Sequence, residues 1–206
     1  MKTLLGSLLL PLPLLLAACS DTPSPPVDSA EPPPVDTAEA QAAEATEPPA
    51  AQRLEASELG STTPVHAFGD VLLAGQPGTD DLALARERGV VAVIDLRLPA
   101  ESRPFDEPAR VAELGMVYHN PGFGSPEQLT DELFDEVRTV LRDEESRPVL
   151  LHCASANRVG AVWLAHRVLD DGVSFEEALP EAQQVGLRSP ALLEAARSYV
   201  ERMQAE

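Results

Sequence analysis

From about residue 58 to the end, short apolar runs alternate with amphipathic segments. Continuous apolar runs of four to seven residues predict strands that are covered on both faces. Segments with apolar residues every three or four positions, opened by capping residues such as Thr130 and Ser174, predict helices. The predicted strands are 65–68, 71–74, 90–96, 116–119 and 148–152, and the predicted helices are 79–88, 106–114, 130–142, 159–170, 174–185 and one from residue 189 onward.

This alternation predicts an α/β fold in which a central, mostly parallel sheet of four or five strands carries helices on both faces. Ligands of such sheets bind beyond the carboxyl ends of the strands. Because the loop after the predicted strand 148–152 lies at such an end, it is the first candidate for a functional site.

That loop opens with Cys153, closes with Arg158 and contains small residues between them. Free backbone N–H groups and the dipole at a helix start attract an anion, and the same potential favours the thiolate form of a cysteine. The planar guanidinium of Arg158 can bind two oxygens of a phosphate. We therefore predict that Cys153 and Arg158 are catalytic. The positions expected to bind the anion or support the loop are Ala154, Ser155, Ala156, Asn157, Arg97 and His152.

The first 18 residues have a basic start, an apolar run and small residues at the end, which predicts a secretory signal peptide. The run is too short, and too interrupted by Pro11 and Pro13, for a spanning helix. The sequence Leu-Ala-Ala-Cys that ends at Cys19 resembles the bacterial lipoprotein box. That resemblance implies lipidation of Cys19 and, with Ser20 next, attachment to the outer membrane of the bacterial cell envelope, facing the periplasm. An ordinary cleaved signal peptide is the alternative.

Residues 19–57 form a predicted tether, with eight prolines between Pro23 and Pro49 and no aromatic residue. Such a composition cannot bury enough apolar surface to offset the entropy of ordering. Residues 58–206 then form one predicted domain. The chain has two cysteines. If Cys19 carries lipid, Cys153 is the one thiol left, and it cannot form an internal disulfide.

The formal charge of −19 opposes binding to nucleic acid and electrostatic capture by anionic lipid. We therefore expect a phosphorylated small molecule or a phosphoprotein as the partner, bound at a locally positive site, and contact with the membrane through the lipid anchor. No cofactor is predicted. No metal site is predicted either, because the four histidines have no ligand spacing.

Residues 74–82, 91–97 and 152–160 resemble the bacterial phosphatase-like proteins of the cysteine-dependent tyrosine and dual-specificity phosphatase superfamily, which include the domain found beside beta-lactamase-like hydrolases. The resemblance implies cleavage of a phosphate ester without metal. Cys153 would attack phosphorus, while Arg158 and the loop amides hold the oxygens and water releases the phosphocysteine intermediate.

Three features depart from the pattern of that superfamily. Four residues separate Cys153 from Arg158 where five are usual, and Val159 stands where Ser or Thr usually follows the arginine. Ala156 stands where glycine is common, at a place where a positive φ would cost energy, and Asn157 is expected to absorb the turn instead. The loop 120–126 contains no carboxylate, so the nearest candidates for a general acid are Glu127 and Asp131.

The short loop leaves two alternatives open. A rhodanese-type sulfurtransferase also has a basic residue close behind its cysteine, and it would carry a persulfide on Cys153. A catalytically inactive domain that binds a phosphorylated ligand is the second alternative.

Overall fold

The computed structural model describes residues 52–205. The predicted signal peptide, Cys19 and most of the tether lie outside the described residues. No helix within residues 52–205 combines the length and the apolar character needed to cross a bilayer.

Six strands and six α-helices form the domain. The strands are β1 (Glu55–Ala56), β2 (Val65–Phe68), β3 (Val71–Ala74), β4 (Ala92–Asp95), β5 (Val117–His119) and β6 (Val149–His152), and the helices are α1 (Thr79–Glu87), α2 (Glu107–Glu113), α3 (Asp131–Arg142), α4 (Asn157–Leu169), α5 (Phe175–Val185) and α6 (Pro190–Gln204).

The strands form one sheet in the order β1-β2-β3-β6-β4-β5. Neighbouring strands from β3 to β5 run parallel, whereas β1, β2 and β3 pair antiparallel. The predicted α/β class is confirmed, and β6, the predicted strand 148–152, lies in the interior of the sheet. The predicted strand number of four or five is too low, because β1 lies inside the segment assigned to the tether. A two-residue strand carries no hydrophobic period, so only its pairing with β2 reveals it.

Helices cover both faces of the sheet, as predicted. On β6, Leu150 packs with the cluster that includes α1 and α2, and Leu151 packs with the larger cluster of α3 to α6. Successive side chains of a strand point to opposite faces, so β3, β4 and β6 each supply both cores. The centre of the larger core is α4, whose Trp163 is fully buried and meets the ring of Phe68 edge-on at 5.2 Å.

Element ends differ from the predictions by at most two residues. The N-cap of α1 is Gly78, and the carboxylate of Asp81 accepts the backbone N–H of Gly78 at 3.0 Å. The start of α4 is Asn157 rather than Val159. This shift matters, because it shortens the loop that contains Cys153.

Candidate active site

Cys153 follows β6, an interior strand with parallel neighbours on both sides, at the carboxyl edge of the sheet. A cavity of about 470 Å³ opens at this edge. Four of the residues predicted for the site line it together, and Cys153 forms part of its wall with a side chain that is otherwise buried. The lining residues are Leu98, Glu101, Phe123, Gly124, Ser125, Pro126, Cys153, Ser155, Asn157, Arg158, Ser189 and Leu192.

The turn from the cysteine loop into α4 falls on Ala156. Its φ of +60° is the one positive φ of a non-glycine residue among residues 52–205. The left-handed conformation costs an L-residue about 1–2 kcal/mol, so this loop stores strain. The expectation that Asn157 would take the turn is wrong. Asn157 is already helical, and its side-chain oxygen accepts the backbone N–H groups of Arg188 and Ser189 at 2.8 and 3.1 Å.

The first helical hydrogen bond of α4 runs from the N–H of Gly160 to the carbonyl of Ala156. The N–H groups of Asn157, Arg158 and Val159 precede it and have no intrahelical acceptor. Since they lie at the start of a 13-residue helix, directly after the nucleophile loop, they add donors and positive potential where an anion would bind.

The Arg158 side chain is fixed by three groups. Nη1 donates to the carbonyls of Leu96 and Phe123 at 3.1 and 2.6 Å, and Nη1 and Nη2 form a bidentate pair with the carboxylate of Glu101 at 2.6 and 2.9 Å. Burial opposes the charge of Arg158, but its hydrogen bond to Glu101 and the nearby Cys153 side chain raise its pKa above the ordinary value. The arginine is therefore a permanent cation beside the sulfur.

Glu101 was not predicted as a site residue. The hydrogen bond from Arg158 lowers the pKa of Glu101 to about 2, and the backbone N–H of Leu98 contributes to the shift. Its spacing of four residues from Arg97 was the one signal in the sequence. The hydrogen bonds of Glu101 with Arg158 join residues 57 positions apart in the chain, so they depend on tertiary structure.

Six of the predicted positions lie outside the cavity wall, among them Ala154, Ala156 and Arg97. Ala154 is exposed on the loop, and Ala156 is buried beneath it. Arg97 was expected to reach the rim, but it is 3% exposed, donates to the carbonyl of Ser102 and has its Nε 3.7 Å from Glu101. Its positive charge therefore acts on the site through Glu101 rather than by contact with a ligand.

Neither predicted general acid lines the cavity. Glu127 lies in a short 3₁₀ turn, where a hydrogen bond from Ser125 lowers its pKa. Asp131 pairs with Arg202 of α6. In the described part of the chain, Glu101 is the one carboxylate in the cavity wall, and with a pKa of about 2 it is ionised at neutral pH. The structure thus places no protonated carboxylic acid at the site.

His152 is fully buried, under the nucleophile loop. Its Nε2 lies 2.7 Å from Oε1 of Glu107, a close contact that is not aligned as a hydrogen bond. The other oxygen of Glu107 accepts from the side-chain amide of Gln76 at 3.1 Å. His152 thus lies beneath the loop with Glu107 as its nearest carboxylate.

His152, Glu107 and Asp95 also form the one grouping of possible metal ligands among residues 52–205. The oxygens of Asp95 are already occupied, because Oδ1 accepts the N–H of Arg97 and Oδ2 accepts from Arg103 and Tyr118. A metal ion would have to displace these donors. We therefore interpret the cluster as a polar support for the loop.

The pair between Glu101 and Arg158 makes stability depend on pH. The folded-state pKa of Glu101 is about 2, below its ordinary value of 4.5. The ionised pair therefore stabilises the fold above pH 4.5, and this contribution is lost as the pH falls towards 2. We expect Glu101→Gln to reduce the free energy of unfolding at pH 6, with a difference from the native chain that shrinks as the pH approaches 2.

Denaturant unfolding of both chains at several pH values measures this difference. A matched control is Glu113→Gln, which changes a carboxylate that is 68% exposed and pairs with Arg110 on the surface. A difference for Glu101→Gln that stays constant with pH would contradict the assigned role.

No family model matches the chain, and the search of curated proteins finds no match either. Solved structures do match. Tk-PTP in its active form is 24% identical, with 65% of this chain and 93% of that chain covered and a TM-score of 0.54. TpbA of P. aeruginosa is 21% identical, covering 74% and 90%, with a TM-score of 0.58, and it has also been solved in complex with pTyr.

The catalytic core of the PP-IP phosphatase Siw14 of S. cerevisiae is 15% identical, covering 66% and 87%, with a TM-score of 0.55. These similarities show that residues 52–205 have the fold of this group of phosphatases. The expected fold is thereby confirmed.

Proposed function

We propose that the protein is a phosphoric monoester hydrolase, similar to protein tyrosine phosphatases, that acts through a phosphocysteine intermediate on Cys153. The observation that carries the proposal is the cavity in which Cys153, Arg158 and the start of α4 meet. The fold supports it, since TpbA with pTyr and the PP-IP phosphatase Siw14 share it.

In the proposed reaction, the Cys153 thiolate attacks phosphorus, forming an S–P bond as the ester P–O bond breaks. Water then attacks phosphorus, the S–P bond breaks and inorganic phosphate leaves. Nη1 of Arg158 is used by protein acceptors, and Nη2 gives one N–H to Glu101. The Nε–H and the second N–H of Nη2 can then bind two phosphate oxygens, together with the free amides of α4.

The proposed substrates have good leaving groups. With Glu101 ionised, no carboxylic acid of the cavity wall can protonate the departing oxygen. Aryl phosphates, whose leaving groups are weakly basic, need this help least. A phosphorylated small molecule or a phosphoprotein remains the proposed partner.

One observation favours a second candidate, a sulfurtransferase. The loop has four residues between Cys153 and Arg158, which makes a tighter ring than the usual phosphatase loop. A single persulfide sulfur would fit a tighter ring. An inactive domain that binds a phosphorylated ligand is the third candidate.

Two assays on the full chain separate the candidates. We expect phosphate release from 4-nitrophenyl phosphate and no thiocyanate from thiosulfate and cyanide. Thiocyanate without phosphate release would establish the sulfurtransferase instead. No turnover in either assay would contradict the hydrolase and leave the binding domain as the function.

The location is a separate proposal that rests on the amino-terminal sequence. We propose that the chain is cleaved before Cys19, lipidated there and held by the tether at the bacterial outer membrane, facing the periplasm. Metabolic labelling with a fatty acid tests it, with Cys19→Ser as the control. Label retained by Cys19→Ser would contradict it.

A further inference from the structure

A second, smaller cavity adjoins the candidate active site. It has a volume of about 180 Å³ and is lined by residues of the end of α5, the loop between α5 and α6, and the start of α6. Ser189 lines both cavities, so the two are neighbours on the surface. A ligand with its phosphate at Cys153 can therefore extend past Ser189 into the smaller cavity.

Arg188 is the cation of this second cavity. Its guanidinium donates to the hydroxyl of Ser155 at 2.7 Å, to the carbonyl of Ser155 at 3.3 Å and to that of Gly186 at 3.2 Å. Because Ser155 is two residues from the nucleophile and lines the larger cavity, these bonds hold Arg188 at its rim.

The charges around the two arginines differ. Arg158 is neutralised by the bidentate pair with Glu101. Arg188 is exposed, and within residues 52–205 no carboxylate lies within ion-pair distance of it. In a chain with a net charge of −19, an unpaired cation at the rim gives the site a local positive potential.

We propose that Arg188 forms a subsite for a second anionic group of the substrate, a carboxylate or a second phosphate. This deepens the proposed function, on which it rests, by naming the substrate class as phosphate esters with a further negative charge a few ångströms from the reacting phosphorus. The guanidinium can bind two oxygens of such a group through N–H groups that face solvent.

The test compares aryl phosphates that differ in one charge. The probes are 3- and 4-carboxyphenyl phosphate, the matching carbamoylphenyl phosphates, which are neutral at that position, and 1,4-phenylene bisphosphate. Their dissociation constants are measured on Cys153→Ser, which cannot turn them over, and their kcat/KM values on the native chain. We expect at least one carboxylate isomer to bind about five- to tenfold more tightly than its carbamoyl partner, the effect of one partly exposed charge-assisted hydrogen bond.

Adding Arg188→Gln to the Cys153→Ser chain should remove this preference, and the dissociation constants of the carbamoyl probes should stay within about twofold of those for Cys153→Ser alone. Arg188→Lys should keep part of the preference. The matched control is Arg88→Gln, an exposed arginine near Pro148, at the opposite edge of the parallel sheet. The bisphosphate shows whether a second phosphate is preferred to a carboxylate.

Equal dissociation constants for charged and neutral probes would overturn the proposal. An equal loss of affinity for both kinds of probe in Arg188→Gln would overturn it too, and so would the absence of binding by every probe. A charge preference in Cys153→Ser without turnover by the native chain would support the subsite and refute the hydrolase. The two proposals can therefore fail separately.

Discussion

Replacing Cys153 with serine is expected to lower phosphate release from 4-nitrophenyl phosphate by about 10⁴- to 10⁶-fold, to the background rate, as removal of an enzyme nucleophile does. A hydroxyl in place of the thiol is far less nucleophilic, because almost none of it is ionised at neutral pH. The change is small in volume, and the loop keeps the amides of α4 and Arg158, so binding of phosphate should persist. Steady-state kinetics and calorimetry with inorganic phosphate measure the two effects.

The matched control for this variant is Ser155→Ala, in the same loop. The change keeps the loop backbone, and the lost hydroxyl accepts from Arg188 and forms no bond to phosphorus, so turnover should stay within about tenfold. Undiminished turnover in Cys153→Ser would refute the phosphocysteine mechanism. Loss of folding, seen by circular dichroism, would instead assign Cys153 to the core.

Removing the buried carboxylate of Glu107 is expected to have the largest effect on stability. Glu107 and His152 are both fully buried, and Glu107 also accepts from Gln76. In Glu107→Ala these groups lose their partner without access to water. Leaving a buried polar group without a partner costs about 1–3 kcal/mol in the free energy of unfolding. Because His152 precedes the nucleophile, turnover should fall as well.

Glu113→Ala, on the same helix, is the control. Its side chain is 68% exposed, so the same change should alter the free energy of unfolding by less than about 0.5 kcal/mol. Urea unfolding of both variants gives the comparison. A loss below about 1 kcal/mol for Glu107→Ala would mean that His152 does not depend on this carboxylate.

The parts of the site that the sequence predicts are local. Cys153 and Arg158 lie in one short loop, and the strand before it and the helix after it have strong patterns of their own. The general acid shows the limit of this reasoning. Glu127 and Asp131 were chosen by their closeness along the chain to the loop 120–126, and neither side chain points into the cavity.

The residue that adopts a positive φ in the cysteine loop shows a second limit of prediction from the sequence. Residue preference favoured Asn157 for the left-handed turn, yet Ala156 adopts it. Asn157 is instead the first residue of α4, and its amide oxygen accepts two N–H groups from the loop between α5 and α6. Contacts from more than 30 residues away thus override a local preference.

The sequence by itself determined the α/β class, the order of the elements, the central strand and the loop that carries the cysteine and the arginine, because each of these follows from the hydrophobic period or from neighbouring residues. Tertiary structure alone decided that Glu101 pairs with Arg158, that Glu107 lies against His152 and that Arg188 lies at the rim of the cavity. Those contacts join residues 33 to 57 positions apart in the chain. Such pairs leave no period or spacing in the sequence, and they become visible only when the sheet brings its loops to one edge.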